Sequence, residues 1–229
     1  MGIPNKLLLA QVTLYVISFI LSFFVFVPIS VNLGHFGGHC LLFATGNWTS
    51  DTNAVLQSVN WGPDGACNFP IFTGVFSMLV SIIYVIWYSI FLLKETDSSW
   101  LNAAVSAFFS FILLIFSFAS SLTVSSGFHD WCDLVTSPKA NMLVSCADGD
   151  YIPFGKAIDV DTTFFYTEFQ ITQFGCWSFW ICQLFLFALA VMKLYHYHRQ
   201  EALPISFNRE RQRLLQKVQG QSGNEYVKT

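Results

Sequence analysis

The sequence predicts an all-α membrane protein, a four-transmembrane-helix bundle with two disulfide-braced extracellular or lumenal loops. Three observations carry that prediction. Hydrophobic residues make up 54% of the 229 positions and charged residues only 11%, against about 25% charged in typical soluble chains. The apolar residues collect into four long runs, none of which contains Asp, Glu, Lys, Arg or His. The two large stretches between the runs hold two pairs of cysteines and nine of the 14 acidic residues.

The runs cover residues 7–31, 71–93, 100–124 and 169–192. Each is longer than the roughly 20 residues a helix needs to cross a hydrocarbon core of about 30 Å. They lack the alternation of barrel strands, so helices are the structures that satisfy their backbone groups in lipid. Residues 1–193 then form the membrane domain and 194–229 a basic tail. The first run is too long for the h-region of a signal peptide, about 7–15 residues, and no small-x-small cleavage site follows it, so it reads as a retained helix. Lys6 stands where a myristoylation signal needs Ser or Thr.

The turn at 94–99 has the length of a tight helical hairpin, which makes the second and third helices antiparallel neighbours. The large loops, 32–70 and 125–168, contain only two basic residues, Lys139 and Lys156. The other nine are Lys6, Lys94, Lys193, Arg199, Arg209, Arg211, Arg213, Lys217 and Lys228. The positive-inside rule therefore places both termini and the short turn in the cytoplasm, and the large loops outside it. Two signals agree. Asn47-Trp48-Thr49 is a glycosylation sequon, usable at Asn47 only on the lumenal side. Cysteine pairs persist as disulfides only in that oxidising compartment. Local loop closure favours Cys40–Cys67 and Cys132–Cys146, each contributing about 3 kcal/mol in the chain-entropy model. Crossed pairings that tie the two loops together are the alternative. Cys176 and Cys182, inside the fourth run, read as small packing residues.

Small and polar residues mark helix contacts in lipid. Gln11, Tyr15, Ser18 and Ser22 form one stripe, as do Gly74, Ser77 and Ser81. Ala103, Ala107 and Ser110, with Ser106, mark a face of the third run, and Gly175, Ser178 and Cys182 a face of the fourth. Intramolecular packing explains these stripes, and docking to another membrane protein is the rival use. Trp87 and Trp100 suit interfacial anchoring.

Motifs for chemistry are sparse. The spans lack the ionisable residues of pumps and proton-coupled transporters. Glu168, with Gln170 and Gln173, marks a polar helix start or the vestibule of a pathway. HFGGHC (His35, His39, Cys40) has zinc-like spacing only on a helix, and two glycines interrupt it, so no metal is assigned. The run DGDYIPFGKAIDVD puts Ile152 where a calcium loop needs Asp or Asn. There is no GxSxG, P-loop or HExxH, and no cofactor is implied. No basic surplus points to nucleic acid: the net charge is −3. In the tail, Arg211, Leu214, Leu215, Lys217 and Val218 suggest an amphipathic helix beside anionic lipid. ERQRLL, with Glu210, Leu214 and Leu215, also has the form of an acidic dileucine sorting signal. The last stretch, GQSGNEYVKT, has a disordered composition.

The segments AQVTLYVISFILSFFVFVPIS, GHCLLFATGNW, WGPDGAC, GFHDWCD, ITQFGCWSFW and KLYHYHRQEAL occur in that order. In this series the chain closely resembles the transmembrane protein 179 family. The resemblance implies a multi-pass membrane protein and supplies no mechanism. The paired cysteines are also similar to those of claudin-like and channel-accessory tetraspan proteins, at the level of fold only. The claudin order, Gly-Leu-Trp before two cysteines, is not met, because Trp48 follows Cys40.

The expected function is that of a non-enzymatic tetraspan, an accessory or interaction subunit of a membrane-protein partner such as a channel or receptor. A small channel or transporter, in oligomeric form, is the alternative. Trp48, Trp61 and Trp131 are candidate partner contacts, since aromatics dominate binding hot spots, and packing within the outer loops is the competing use. The bilayer is the other expected partner, in the plasma membrane or a secretory or endosomal membrane.

Overall fold

A computed structural model describes residues 3–49, 55–94, 100–138, 145–151 and 160–225. Four helices dominate: α1 (Ile3–His35), α2 (Asp64–Lys94), α3 (Trp100–Val135) and α4 (Phe165–Glu225). Between α1 and α2 lies an antiparallel hairpin, β1 (Cys40–Trp48) and β2 (Leu56–Gly62). A 3-10 helix, Cys146–Tyr151, sits between α3 and α4. Each helix contains a segment long and apolar enough to cross a membrane: Lys6–His35, Asp64–Leu93, Leu101–Val135 and Phe165–His196. The chain is a multi-pass integral membrane protein of four helices. The passes alternate in direction, so the start of α1, the end of α2 and the start of α3 lie at one end of the bundle and the hairpin at the other.

The bundle packs on a heptad. In α1 the buried positions are Leu8, Gln11, Tyr15, Ser18, Ser22, Val25, Ile29 and Asn32, and Phe36 just past its end continues the pattern. In α4 they include Phe165, Phe169, Thr172, Cys176, Phe179, Gln183, Leu186, Ala190 and Lys193. Spacings of three and four alternate, the 3.5-residue period of side chains that interdigitate between helices crossing at a shallow angle. α1 packs most closely on α2 and α4, and α3 on α4.

The polarity of the bundle is inverted relative to a soluble protein. Ser18, Ser81, Ser106, Ser110, Ser117 and Ser121 are buried, while Phe23, Phe108, Phe111, Phe174 and Phe185 are exposed. Lipid solvates phenylalanine as well as a protein core does, so small and hydrogen-bonding groups turn inward. Ser18 Oγ accepts from Ser81 Oγ at 3.1 Å and from Gln183 Nε2 at 2.9 Å, joining three helices. Tyr88 donates to Ser106 Oγ at 2.7 Å, and Tyr15 stacks on Tyr84 with centroids 5.0 Å apart. Gly175 lets α4 come close to the backbone of α1. Pro28 has no N–H to offer the Phe24 carbonyl, and a Cβ at Gly175 would stand 2.7 Å from that oxygen. The stripes read from the sequence are therefore the interior faces.

Several expectations change. All four helices outrun their apolar runs. Much of the stretches 32–70 and 125–168 is consequently helix or strand rather than loop. α4 continues through Glu225, carried past the apolar run by Arg, Gln, Leu, Lys and Glu, all good helix formers; the stretch expected to be disordered is helical to that point. α4 also carries an ionisable side chain into the bundle. Lys193 is 6% exposed, with Nζ 4.6 Å from the Tyr88 ring centroid and no hydrogen-bond partner among the described residues. The turn at 95–99, Lys139, Lys156 and residues 152–159 of the acidic run lie outside the described residues. So do the side chains of Trp100, Glu210, Leu214 and Leu215.

Candidate functional site, a disulfide-braced hairpin module

The module begins where α1 is stopped. Gly37 and Gly38 adopt φ of +63° and +87°. The Gly38 N–H donates to Leu33 O at 2.8 Å and the Gly37 N–H to Gly34 O at 3.1 Å, the paired bonds of a glycine-terminated helix end. HFGGHC is thus a helix terminator. His39 stacks on Trp61 and Cys40 is bonded to Cys67. Among the described residues no three His, Cys, Asp or Glu side chains converge to hold a metal ion.

β1 then crosses the bundle end. Cys40 pairs with Gly62 but Thr45 with Asn60, so five residue steps on β1 match two on β2. Phe43, with φ of +64°, sits inside this bulge. The irregularity lets Leu41, Leu42 and Ala44 all be buried, which a regular strand with alternating faces would not allow. Two glycines make room. A Cβ at Gly62 would fall on the Leu42 carbonyl, and one at Gly127 of α3 would lie 2.7 Å from Leu42 Cβ.

Disulfides fix both sides. Cys40–Cys67 ties the start of β1 to the first turn of α2, with Cα atoms 5.8 Å apart, and Cys132–Cys146 ties the last turn of α3 to the 3-10 helix at 5.1 Å. These are the local pairings. They close separations of 27 and 14 residues, for which the chain-entropy model gives about 3–4 kcal/mol each.

The three tryptophans divide between packing and display. Trp131 is fully buried, edge-on to Phe165 at 6.4 Å, and therefore has no surface to offer a partner; its contact role is replaced by a packing one. Trp48 is half-buried and donates Nε1–H to Leu134 O at 3.0 Å, satisfying a carbonyl at the end of α3. Trp61 meets Phe36 edge-on and lies flat against His39, with centroids 5.2 Å apart and planes within 3°. His39 is exposed, so this ring pair reaches the surface. Asn47 is exposed too, opposite Ser58. Two residues on, Thr49 Oγ1 accepts the Val55 N–H at 2.9 Å and the Thr49 N–H donates to Val55 O at 3.0 Å, holding the sequon in strand geometry.

Glu168 joins α4 to α1. Its Oε2 accepts from Asn32 Nδ2 at 3.1 Å, and Oε1 stands 3.4 Å from His35 Nδ1 without hydrogen-bond geometry. Gln173 and Trp177 both donate to Ser125 Oγ, at 3.2 and 3.0 Å. The Asp161 N–H donates to His35 O at 3.1 Å. The Asp161 carboxyl is held below the usual carboxylate range by the hydroxyl and N–H of Thr163. The polar group around Glu168 and Gln173 therefore braces α4 against α1 and α3. Sequence reasoning missed Gly62 and Gly127 as structural residues. The available signals were the Trp-Gly after a strand pattern and a glycine late in an apolar helix.

Two disulfides and the Trp48–Leu134 hydrogen bond hold the module to the helix ends. The family model described as the transmembrane protein 179/179B claudin domain matches residues 7–215, taking in all four spans and the hairpin module. No solved structure matches the chain. The chain belongs to the transmembrane protein 179/179B family of claudin-like four-span membrane proteins.

Proposed function

We propose that the protein is a non-enzymatic accessory subunit that binds a membrane-protein partner through the hairpin module. The single observation that carries this reading is the His39–Trp61 ring pair, displayed at the surface of a module fixed by two disulfides. Rigid aromatic area is what binding hot spots use, because little side-chain entropy is lost on contact. Trp48 lies on the same hairpin and contributes at its edge. The termini lie in the cytoplasm and the module outside it, a placement supported by the acidic large loops, the sequon at Asn47 and the oxidised cysteines. Asn47 carries a glycan in this reading, and Glu210, Leu214 and Leu215 direct sorting among the plasma, secretory and endosomal membranes. The channel alternative rested on the hydroxyl-bearing faces. Ser18, Ser81, Ser106 and Gln183 use those groups to bond one helix to another, which favours the accessory reading.

The test is affinity purification of the tagged full chain from native membranes in mild detergent, beside Trp61→Ala. A membrane protein co-purifying with the wild type and lost with Trp61→Ala at equal expression supports the reading. Recovery of the chain alone contradicts it.

A further inference from the structure

We propose that a groove on α4, at the end of the bundle that holds the termini, binds one anionic phospholipid. An acyl chain lies against Val191 and Leu194, and the phosphate meets His198 and Arg199.

The groove has a volume of about 340 Å³ and is lined by Val191, Leu194, Tyr195 and His198. These positions follow i, i+3, i+4, i+7, one stripe on a helix. Its lower half is aliphatic, with Val191 43% exposed. Its upper half carries a phenol, 68% exposed on Tyr195, and an exposed imidazole. The change from apolar to polar falls at the edge of the bilayer, because the apolar segment of α4 ends at His196. Tyrosine prefers that depth, its ring among chains and its hydroxyl among headgroups.

Charge selects the headgroup. Lys193, Arg199 and four histidine or tyrosine residues lie within 193–199, and α4 has no acidic residue between Glu168 and Glu201. Arg199 is exposed one residue beyond His198. A guanidinium offers a fork of donors to phosphate oxygens, and imidazole keeps an N–H donor in either protonation state. Lys193 does not take part, since its Nζ is buried on the opposite side over Tyr88. A zwitterionic lipid would leave the cationic mouth without net complement, whereas phosphatidylserine supplies a net negative charge. The proposal is independent of any protein partner and of which side the termini face.

The experiment is native mass spectrometry of the full-length protein in mild detergent, titrated separately with phosphatidylserine and phosphatidylcholine. The wild type retains phosphatidylserine preferentially. His198→Ala/Arg199→Ala lowers that preference by about fivefold or more, the effect of removing one to two cations beside an anionic surface. Lys6→Ala, which removes an exposed cation from the start of α1, leaves it unchanged. As a second readout, the wild-type preference falls as salt is raised. Equal retention of the two lipids, a preference that survives the His198/Arg199 pair, loss with Lys6→Ala alone, or insensitivity to salt would each overturn the proposal.

Discussion

The indole N–H of Trp48 donates to the carbonyl of Leu134 across 3.0 Å, joining the hairpin to the last turn of α3. Trp48→Phe deletes this bond while keeping an aromatic ring and the sequon. The expected cost is about 1 kcal/mol. Thermal unfolding in detergent measures it, and hydrogen exchange should quicken in residues 40–62 while the spans stay protected.

The disulfides anchor that hairpin from the other side. Peptide mapping without reduction should recover Cys40 linked to Cys67 and Cys132 linked to Cys146, with no peptide joining the two loops. Cys40→Ser/Cys67→Ser should lose about 3–4 kcal/mol and accumulate in the early secretory pathway. Cys132→Ser/Cys146→Ser should cost somewhat less, because its separation is 14 residues rather than 27.

Three glycines hold surfaces in contact. Gly175→Ala forces α1 and α4 apart at the Phe24 carbonyl, and overpacking of this kind costs about 1–3 kcal/mol. Gly62→Ala meets backbone rather than a movable side chain, so it should break the pairing with Cys40 and be the most damaging of the set. Gly127→Ala meets Leu42 Cβ and should lift β1 from α3. Comparing the three unfolding temperatures checks the order.

Lys193 makes the opposite prediction. A buried ammonium with no hydrogen-bond partner among the described residues is costly, and similar-volume apolar replacements of buried charge are often neutral or stabilising. Lys193→Met should therefore hold or raise the unfolding temperature, whereas Lys193→Glu should lower it. A marked loss with Met would show that the cation–π contact with Tyr88 outweighs desolvation.

How much of this was legible follows from the physics of each signal. A bilayer imposes about 20 apolar residues on every span, so the four helices are visible in composition alone. The interior stripes are visible because lipid reverses the usual pattern, leaving Ser18, Ser81 and Ser106 as the marked positions. Local loop closure favoured the cysteine pairs. The hairpin was not legible. CLLFATGNW lacks period-two alternation because the bulge around Phe43 turns Leu41, Leu42 and Ala44 to one side, and what they bury against is α3, far away in sequence. Gly62 and Gly127 acquire meaning only through Leu42. Lys193 directly follows the apolar run and counts in the sequence as one more cytoplasmic charge, whereas α4 carries it against Tyr88. Trp131 looked like a loop residue because α3 outruns its apolar segment.

The most direct test of the central claim, four passes with the hairpin module outside the cytoplasm, is glycosidase mapping combined with tag accessibility on intact cells. The account predicts a mobility shift on deglycosylation that Asn47→Gln abolishes, and tags at Met1 and Thr229 that antibodies reach only after permeabilisation. A tag reached on intact cells, with Asn47 unmodified, would contradict it.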